Sequence, residues 1–358
     1  MRKIFFLSTL ILLMACFLFS GFGQGSALAA SKQKNYELSF TSNYMDKHPT
    51  VRNAFIPWAK EVENLSQGRL KITYFNPNTL APAKDAYDST LNGVLDIGAC
   101  YCGFNPGKFP VSDVMELPLI VPGAEAGSLV TWDLYNKFPE WQAQYKDVKM
   151  LWQWSSATYQ IHTTKKLIQK PSDLKGLKII GWSPILLEIL KALGANPMHI
   201  SPTDTYLALQ RGMADGVVCP LAPVRSYKIS DATKYHTIID LNVGPFWAGI
   251  NKDLWNDLPA DLKKILDETT GVKMARASGK TLDDGAAEDA QWMKSKGHKF
   301  YVVPEQDKKE WYAKIEYMHQ DWVKKMEAKG CKNAQAILDE AVRLGKEYAK
   351  TTGRGYVD

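Results

Sequence analysis

Short apolar runs along the chain alternate with longer segments in which apolar residues recur at helical spacing. Tyr36 to Phe40 alternates as a strand, and Asn43, Tyr44 and His48-Pro49 lead from it into a helix predicted over Val51 to Leu65, closed by Ser66-Gln67-Gly68. Leu70 to Phe75 is a second strand. A helix follows from about Lys84 to Leu91, and a third strand from Val94 to about Cys100 brings the chain to Tyr101. This order predicts an α/β protein with mostly parallel sheets. Phe104 to Pro122 reads as a packed loop with a short strand, Ala124 to Phe138 as a helix, and Val148 to Trp154 and Tyr159 to Thr164 as strands.

The clearest strand-to-helix passage is Lys170 to Pro197. Leu177 to Ile180 is a short apolar strand between Gly176 and Gly181, Ser183 stands at a helix N-cap and Pro184 in the first turn. Ile185, Leu186, Ile189, Leu190 and Leu193 keep helical spacing, and Gly194 is placed to end the helix. Open α/β sheets place ligands at such strand ends, where unpaired backbone N–H groups point outward. Ile180, Gly181 and Trp182 stand at this mouth, and Asn43 and Tyr101 follow the ends of the first and third strands.

Downstream, a helix from about Thr203 to Gly212 precedes Asp215-Gly216-Val217-Val218. Gly93 to Ile97 and Gly212 to Val217 share a pattern that suggests two similar halves, with Asp96 and Asp215 expected to bond backbone at strand starts. His236 to Leu241 and Phe246 to Asn251 are expected as strands that cross back. One helix is expected from Pro259 through Gly271 and Gly279 to Lys296, then a strand at Phe300 to Val303 and helices over Gln306 to Lys329 and Asn333 to Lys350.

Composition narrows the function. Arg2 and Lys3 precede an apolar run to about Phe22, and Ala27-Leu28-Ala29 follows as a cleavage pattern, so 1–29 reads as an export signal cut near Ala29. Cys16 is a weaker lipid-anchor candidate, because apolar rather than polar residues follow it. The chain holds 44 basic and 38 acidic residues. Two of the basic ones lie in the leader, which leaves about +4, too mild and too evenly spread for nucleic acid. Cys100, Cys102, Cys219 and Cys331 remain, and export permits a disulfide without specifying one. The six histidines are scattered and none pairs at metal-ligand spacing, so no metal is expected. No G-x-S-x-G, H-E-x-x-H or G-x-G-x-x-G occurs, so neither catalytic residues nor a cofactor are expected.

Several pieces in order carry a resemblance over nearly all of the mature chain: His48-Pro49 with Trp58, Gly68-Arg69-Leu70-Lys71-Ile72, Asn92-Gly93 with Asp96-Ile97-Gly98, Asp173 to Ile179, Leu190 to Ala195, Tyr206 with Leu209-Gln210, Gly212 and Asp215-Gly216, and Asn251-Lys252 before Trp255. The chain resembles the extracytoplasmic solute-binding proteins of tripartite ATP-independent periplasmic (TRAP) transporters, of the DctP type. The resemblance implies a two-lobed clamshell like the type II periplasmic binding proteins, with a long helix spanning both lobes. Lobe I would comprise 30–155 with 246–283, lobe II 156–245 with 284–345, and 346–358 a tail. It further implies a periplasmic monomer that delivers a small solute to the small and large membrane permease subunits.

The departures from the family pattern bear on the solute. The family's carboxylate-clamping arginine falls at Ile180, and a second arginine at Tyr159. The aromatic position near Ser201 is Pro202, and an asparagine position is Cys219. An aromatic set stands instead: Trp152, Trp154, Tyr159, Trp182, Phe246 and Trp247. Three readings stay open. One is a small organic acid held by another cation, such as Arg225, Lys84 or Lys108. The second is an amine or quaternary ammonium compound against aromatic faces, and the third an aromatic or apolar solute. A sensory role beside a receptor is the alternative to transport. The candidate ligand-binding residues are Asn43, Tyr44, Tyr101, Trp154, Tyr159, Ile180, Trp182, Cys219, Arg225, Phe246 and Trp247.

Overall fold

The computed structural model describes residues 34–352. The export signal, Cys16, the cleavage site and residues 353–358 lie outside the described residues. From Glu37 onward the chain forms one unit, with two lobes each built on one sheet. The first sheet contains β1 (Tyr36–Thr41), β2 (Leu70–Phe75), β3 (Ile97–Tyr101), β4 (Val148–Ser155) and β10 (Pro245–Asn251), in the order β2-β1-β3-β10-β4. The second contains β5 (Gln160–Thr163), β6 (Lys178–Gly181), β7 (Asn196–His199), β8 (Gly216–Cys219), β9 (Tyr235–Ile238) and β11 (Lys299–Val302), in the order β11-β9-β5-β8-β6-β7.

Parallel pairing joins β1 to β3, β6 to both β7 and β8, and β9 to β11. β10 and β5 run against both of their neighbours, so the sheets are mixed. These two strands are the places where the chain arrives from the opposite sheet. The two crossing segments run side by side. Ser156 N–H donates to Gly244 O (2.8 Å), Tyr159 N–H to Asn242 O (2.9 Å) and Leu241 N–H to Tyr159 O (3.1 Å). Ser156 Oγ also accepts from Gly244 N–H at 2.8 Å.

Asp96 and Asp215 bond backbone at strand starts. Asp96 accepts from Ser39 N–H and Asp215 from Lys178 N–H, at 2.8 and 2.9 Å. The helix expected from Pro259 to Lys296 is instead broken: Ala260–Thr269 ends at Gly271 (φ +60°), and a long helix Val272–Ser295 begins there. Gly271 takes a left-handed conformation that side chains resist, which resets the helix axis. The long helix lies against helix Ala124–Lys137. Asp283 accepts the free N–H groups of Ala124 and Glu125 (2.8 and 2.9 Å), and a Cβ at Gly279 would come within 2.5 Å of Ala124 O. The helix expected over Gln306 to Lys329 is likewise two, Glu305–Tyr312 and Met318–Ala328. The last helix, Ala334–Tyr348, was expected partly with the second lobe. It packs along Ala124–Lys137, where Tyr348 OH donates to Asp133 (2.5 Å).

Behind the first sheet, Trp247 is fully buried and packs edge-on against Tyr87 (5.2 Å between centroids). The second sheet hides a chain of three histidines. His162 Nε2 lies 3.0 Å from Cys219 O, and His162 Nδ1 lies 2.8 Å from His236 Nδ1. His236 Nε2 lies 2.8 Å from His298 Nδ1, and His298 Nε2 lies 3.1 Å from Lys234 Nζ. A carbonyl can only accept and an ammonium can only donate, so one assignment satisfies every link. His162 carries its proton on Nε2, and His236 and His298 carry theirs on Nδ1. Each ring must be neutral. Three of the six histidines thus converge, which their sequence separations hid, although among the described residues no group of three or more His, Cys, Asp or Glu is placed to hold a metal ion.

Burial lowers the His162 pKa to about 4 and holds His236 lower still, with the neighbouring rings and Lys234 adding to the effect on His236. Both folded values lie below the ordinary one near 6.5, so their contribution to stability is full above about pH 6.5 and is lost as pH falls through the folded values. Asp283 and Asp289, pushed up to about 6 by burial, act in the opposite sense. Ring signals therefore report the chain more cleanly than global stability does. Nitrogen-15 NMR is expected to find His162 as the Nε2–H tautomer and His236 and His298 as Nδ1–H tautomers. His162 and His236 should stay neutral at about pH 6, and a charged ring at either position there would refute the assignment. For the opposite sheet, Trp247→Ala is expected to cost about 3–5 kcal/mol in urea unfolding. A loss below about 1 kcal/mol would mean that the ring is not a core element.

Candidate functional site

β6 runs into helix Pro184–Ala192 through Trp182 and Ser183. Ser183 Oγ accepts from Leu186 N–H (3.2 Å), Pro184 fills the first turn where no N–H is needed, and the chain turns at Gly194 (φ +94°). β7 ends the same way, with Ser201 accepting from Asp204 N–H and Pro202 opening helix Pro202–Gln210. β8 ends in Cys219-Pro220 before helix Leu221–Ser226. The carboxyl ends of three parallel strands thus deliver Trp182, Pro202 and Pro220 to one place. From the first sheet, β1 leads into Asn43, Tyr44 and His48, β3 ends at Tyr101 with Phe104 just beyond, and antiparallel β10 begins at Pro245-Phe246. The crossing segment supplies Ser156 and Tyr159, helix Leu221–Ser226 and its end supply Pro223 and Tyr227, and the long helix supplies Leu282.

These fourteen residues line one cleft of about 40 Å³. That is room for roughly one or two water molecules, so a ring-sized solute can enter only as the lobes part. Its walls are rings. Tyr44 stacks on His48 (3.9 Å between centroids), Tyr101 packs against Phe246 (5.2 Å) and Phe104 (5.3 Å), and Trp182 meets Tyr227 edge-on (6.2 Å). Tyr227 OH donates across to Asn43 O at 3.3 Å, and Trp182 Nε1–H to Thr205 Oγ1 at 3.2 Å. Burial raises the phenol pKa of Tyr44, Tyr101, Tyr159 and Tyr227, so these rings stay neutral.

Two polar atoms of the lining are buried without a hydrogen-bond partner among the described residues, Asn43 Oδ1 and His48 Nε2. Thr50 N–H donates to His48 Nδ1 (3.3 Å), and burial lowers the His48 pKa to about 3. The ring is therefore neutral with its proton on Nε2. These lining residues thus carry one unpaired acceptor and one unpaired donor, each of which costs about 1–3 kcal/mol when left so.

No lysine or arginine is among the lining residues. A carboxylate stands just behind them. Glu116 is 1% exposed, and its Oε1 accepts from Tyr101 OH at 2.7 Å while Oε2 accepts from Ser183 OH. Burial pushes Glu116 up to about 7, and these two hydrogen bonds pull against that rise.

Of the residues expected at the site, Asn43, Tyr44, Tyr101, Tyr159, Trp182 and Phe246 meet at this cleft. Trp154 lies behind, stacked on Phe246 at 5.0 Å. Trp247 points to the opposite face of β10 because adjacent strand residues alternate sides. Ile180 and Cys219 are fully buried within β6 and β8 and do not line the cleft. Arg225 is held by Asp289 (3.2 Å) and lies over the Trp292 ring (4.7 Å). Lys108 pairs with Asp88, and the Lys84 side chain is mostly exposed. All four described cysteines are free and buried. Sequence reasoning missed His48, Tyr227 and Glu116. The signal for Glu116 was a lone acid within the apolar run Val114 to Val121.

Among the described residues no helix is long and apolar enough to cross a membrane. The sequence profile of bacterial extracellular solute-binding proteins, family 7 (DctP), matches residues 40–326. The chain is 24% identical over 286 residues to the C4-dicarboxylate-binding periplasmic protein DctP of Rhodobacter capsulatus, covering 78% of this chain and 84% of that protein. A TRAP solute-binding protein from Rhodoferax ferrireducens T118, solved with copurified benzoate, superposes with a TM-score of 0.84 at 27% identity, covering 89% of this chain and 100% of the other. A marine metagenome TRAP protein specific for aromatic acids, solved with 3-hydroxybenzoate, gives 0.84 at 26% identity, covering 88% and 99%. The chain belongs to the DctP family of TRAP solute-binding proteins, which are periplasmic transport components and not enzymes.

Proposed function

We propose that this protein captures a small ring-bearing or compact apolar solute whose polar head is neutral or an ammonium group. The observation that carries the reading is the cleft itself: rings on every side, no lysine or arginine in the lining, and the Glu116 carboxylate behind Tyr101. An ammonium against a desolvated aromatic face gains about 0.5–2 kcal/mol. A dicarboxylate here would be buried without the bidentate guanidinium that its charge requires. Asn43 Oδ1 suits a donor on the solute, such as an amine or hydroxyl. The exported chain, freed of its leader near Ala29, would carry the solute through the periplasm as a monomer and present it to the membrane permease subunits.

A second reading, an aromatic monocarboxylate, is favoured by the benzoate and 3-hydroxybenzoate found in similar proteins. The free donor at His48 Nε2 could meet one carboxylate oxygen.

Matched probes separate the two. Benzylamine and benzyltrimethylammonium share a ring with benzoate and 3-hydroxybenzoate but carry the opposite charge. A thermal-shift panel is expected to respond to the cationic pair, with succinate silent, because a ligand at a hundredfold excess over Kd stabilises by about 2.7 kcal/mol. A response to the acids alone would establish the second reading, and a response to succinate would refute both. Trp182→Ala is expected to weaken the best probe about tenfold or more, the loss of one stacking face. Unchanged affinity would place the solute elsewhere.

A further inference from the structure

We infer that Glu116 couples closure of the two lobes to the charge of the solute, acting through Tyr101 and Ser183. The inference rests on the cleft reading above and deepens it. Glu116 sits between β3 and helix Ala124–Lys137, in a turn on the first-sheet side. One carboxylate oxygen takes the hydroxyl of Tyr101 from the end of β3. The other takes the hydroxyl of Ser183 from the end of β6, in the opposite sheet. The backbone oxygen of Glu116 also accepts from Asn242 Nδ2 (3.0 Å), which lies in a crossing segment. A single buried side chain therefore ties both lobes and the hinge. Tyr101 is at the same time a wall of the cleft.

The Tyr101–Glu116 bond orients the ring and sets a negative charge behind it. A cationic solute strengthens with that charge, and an anionic one must overcome it. Glu116 is also among the residues lining a separate cavity of about 240 Å³ between the turn, helix Pro184–Ala192 and helix Met318–Ala328. Asp113, Glu188 and Asp321 face this cavity with Lys325 and Lys329. Burial raises the Asp113 pKa, the Glu116 charge adds to that rise, and Lys329 counters it. The remaining titratable neighbours, Tyr101, Cys102 and Tyr159, are held protonated by burial. Glu116 is the carboxyl bonded to a wall of the cleft, with Asp113 beyond it on the cavity side, and the sign follows. Ionised Glu116, favoured as pH rises through about 7, supports an ammonium solute. Neutral Glu116, favoured below, relaxes the exclusion of acids.

Isothermal titration with benzyltrimethylammonium and with benzoate, from about pH 6 to 8, tests this on the wild type, Glu116→Gln and Ser183→Ala. Benzyltrimethylammonium affinity is expected to rise about tenfold across the range in the wild type, following the ionised fraction. It should be flat and about tenfold weaker at pH 8 in E116Q. S183A removes a donor to the carboxylate and should move the midpoint to higher pH. If only benzoate binds, the ammonium reading falls on its own. The inference then requires benzoate affinity to decline with pH in the wild type and to be tighter and flat in E116Q. An E116Q profile equal to wild type for whichever probe binds would overturn it. A readout that needs no solute stands beside these. Small-angle scattering of the solute-free protein should give E116Q the larger radius of gyration, and equal radii would overturn the closure half of the inference.

Discussion

The arrangement depends on two short segments that cross between the sheets and hydrogen-bond to one another. Residues 156–159 carry the chain from β4 to β5, and residues 239–244 carry it back from β9 to β10. Their backbone groups satisfy one another through Ser156 with Gly244 and Tyr159 with Asn242 and Leu241. This is a double tether with the bonding of a two-stranded ribbon. It can twist without exposing unpaired N–H groups, which is what a hinge beneath a cleft requires. The mixed sheet order follows from the same constraint, since each crossing strand enters its new sheet against its neighbours. The cleft is where it is because Ser156 and Tyr159 belong to the hinge itself.

Elements were legible where a local rule sufficed. Ser183-Pro184 and Gly194 bound their helix through capping and turn chemistry that needs no tertiary information. The Asp96 and Asp215 bonds to neighbouring strands could be read from a repeated pattern. What could not be read was direction. Phe246 and Trp247 are adjacent aromatics on one strand, and the strand's own sequence does not say which faces the cleft. The register of β10 between β3 and β4 decides it, and it turns Trp247 into core. Ile180 was placed by the end of a strand alone, and the burial of that end between β7 and β8 keeps it out of the lining. His162, His236 and His298 are separated by more than sixty residues at each step, so only the sheet order brings them together. The break at Gly271 was visible as a glycine, but an isolated glycine in a helical pattern is tolerated at a cost of about 1 kcal/mol, so its presence alone does not mark a break.

The charge of the cleft is best understood by what stands at its edges. Arg225 is satisfied by Asp289 on the long helix and stacked on Trp292, so moving it into the cleft would break a pair that is partly buried. Lys108 is likewise committed to Asp88. The nearest buried charge is then Glu116, and its two hydroxyl partners are neutral donors that favour the ionised form without cancelling it. Among the described lining residues there is no lysine or arginine, and the group bonded to the Tyr101 wall is a carboxylate. A pocket with neither a cation nor a carboxylate at its walls would be indifferent to charge. A carboxylate joined to Tyr101 gives the pocket a preference by charge, and the same carboxylate reaching Ser183 links that preference to the meeting of the two lobes.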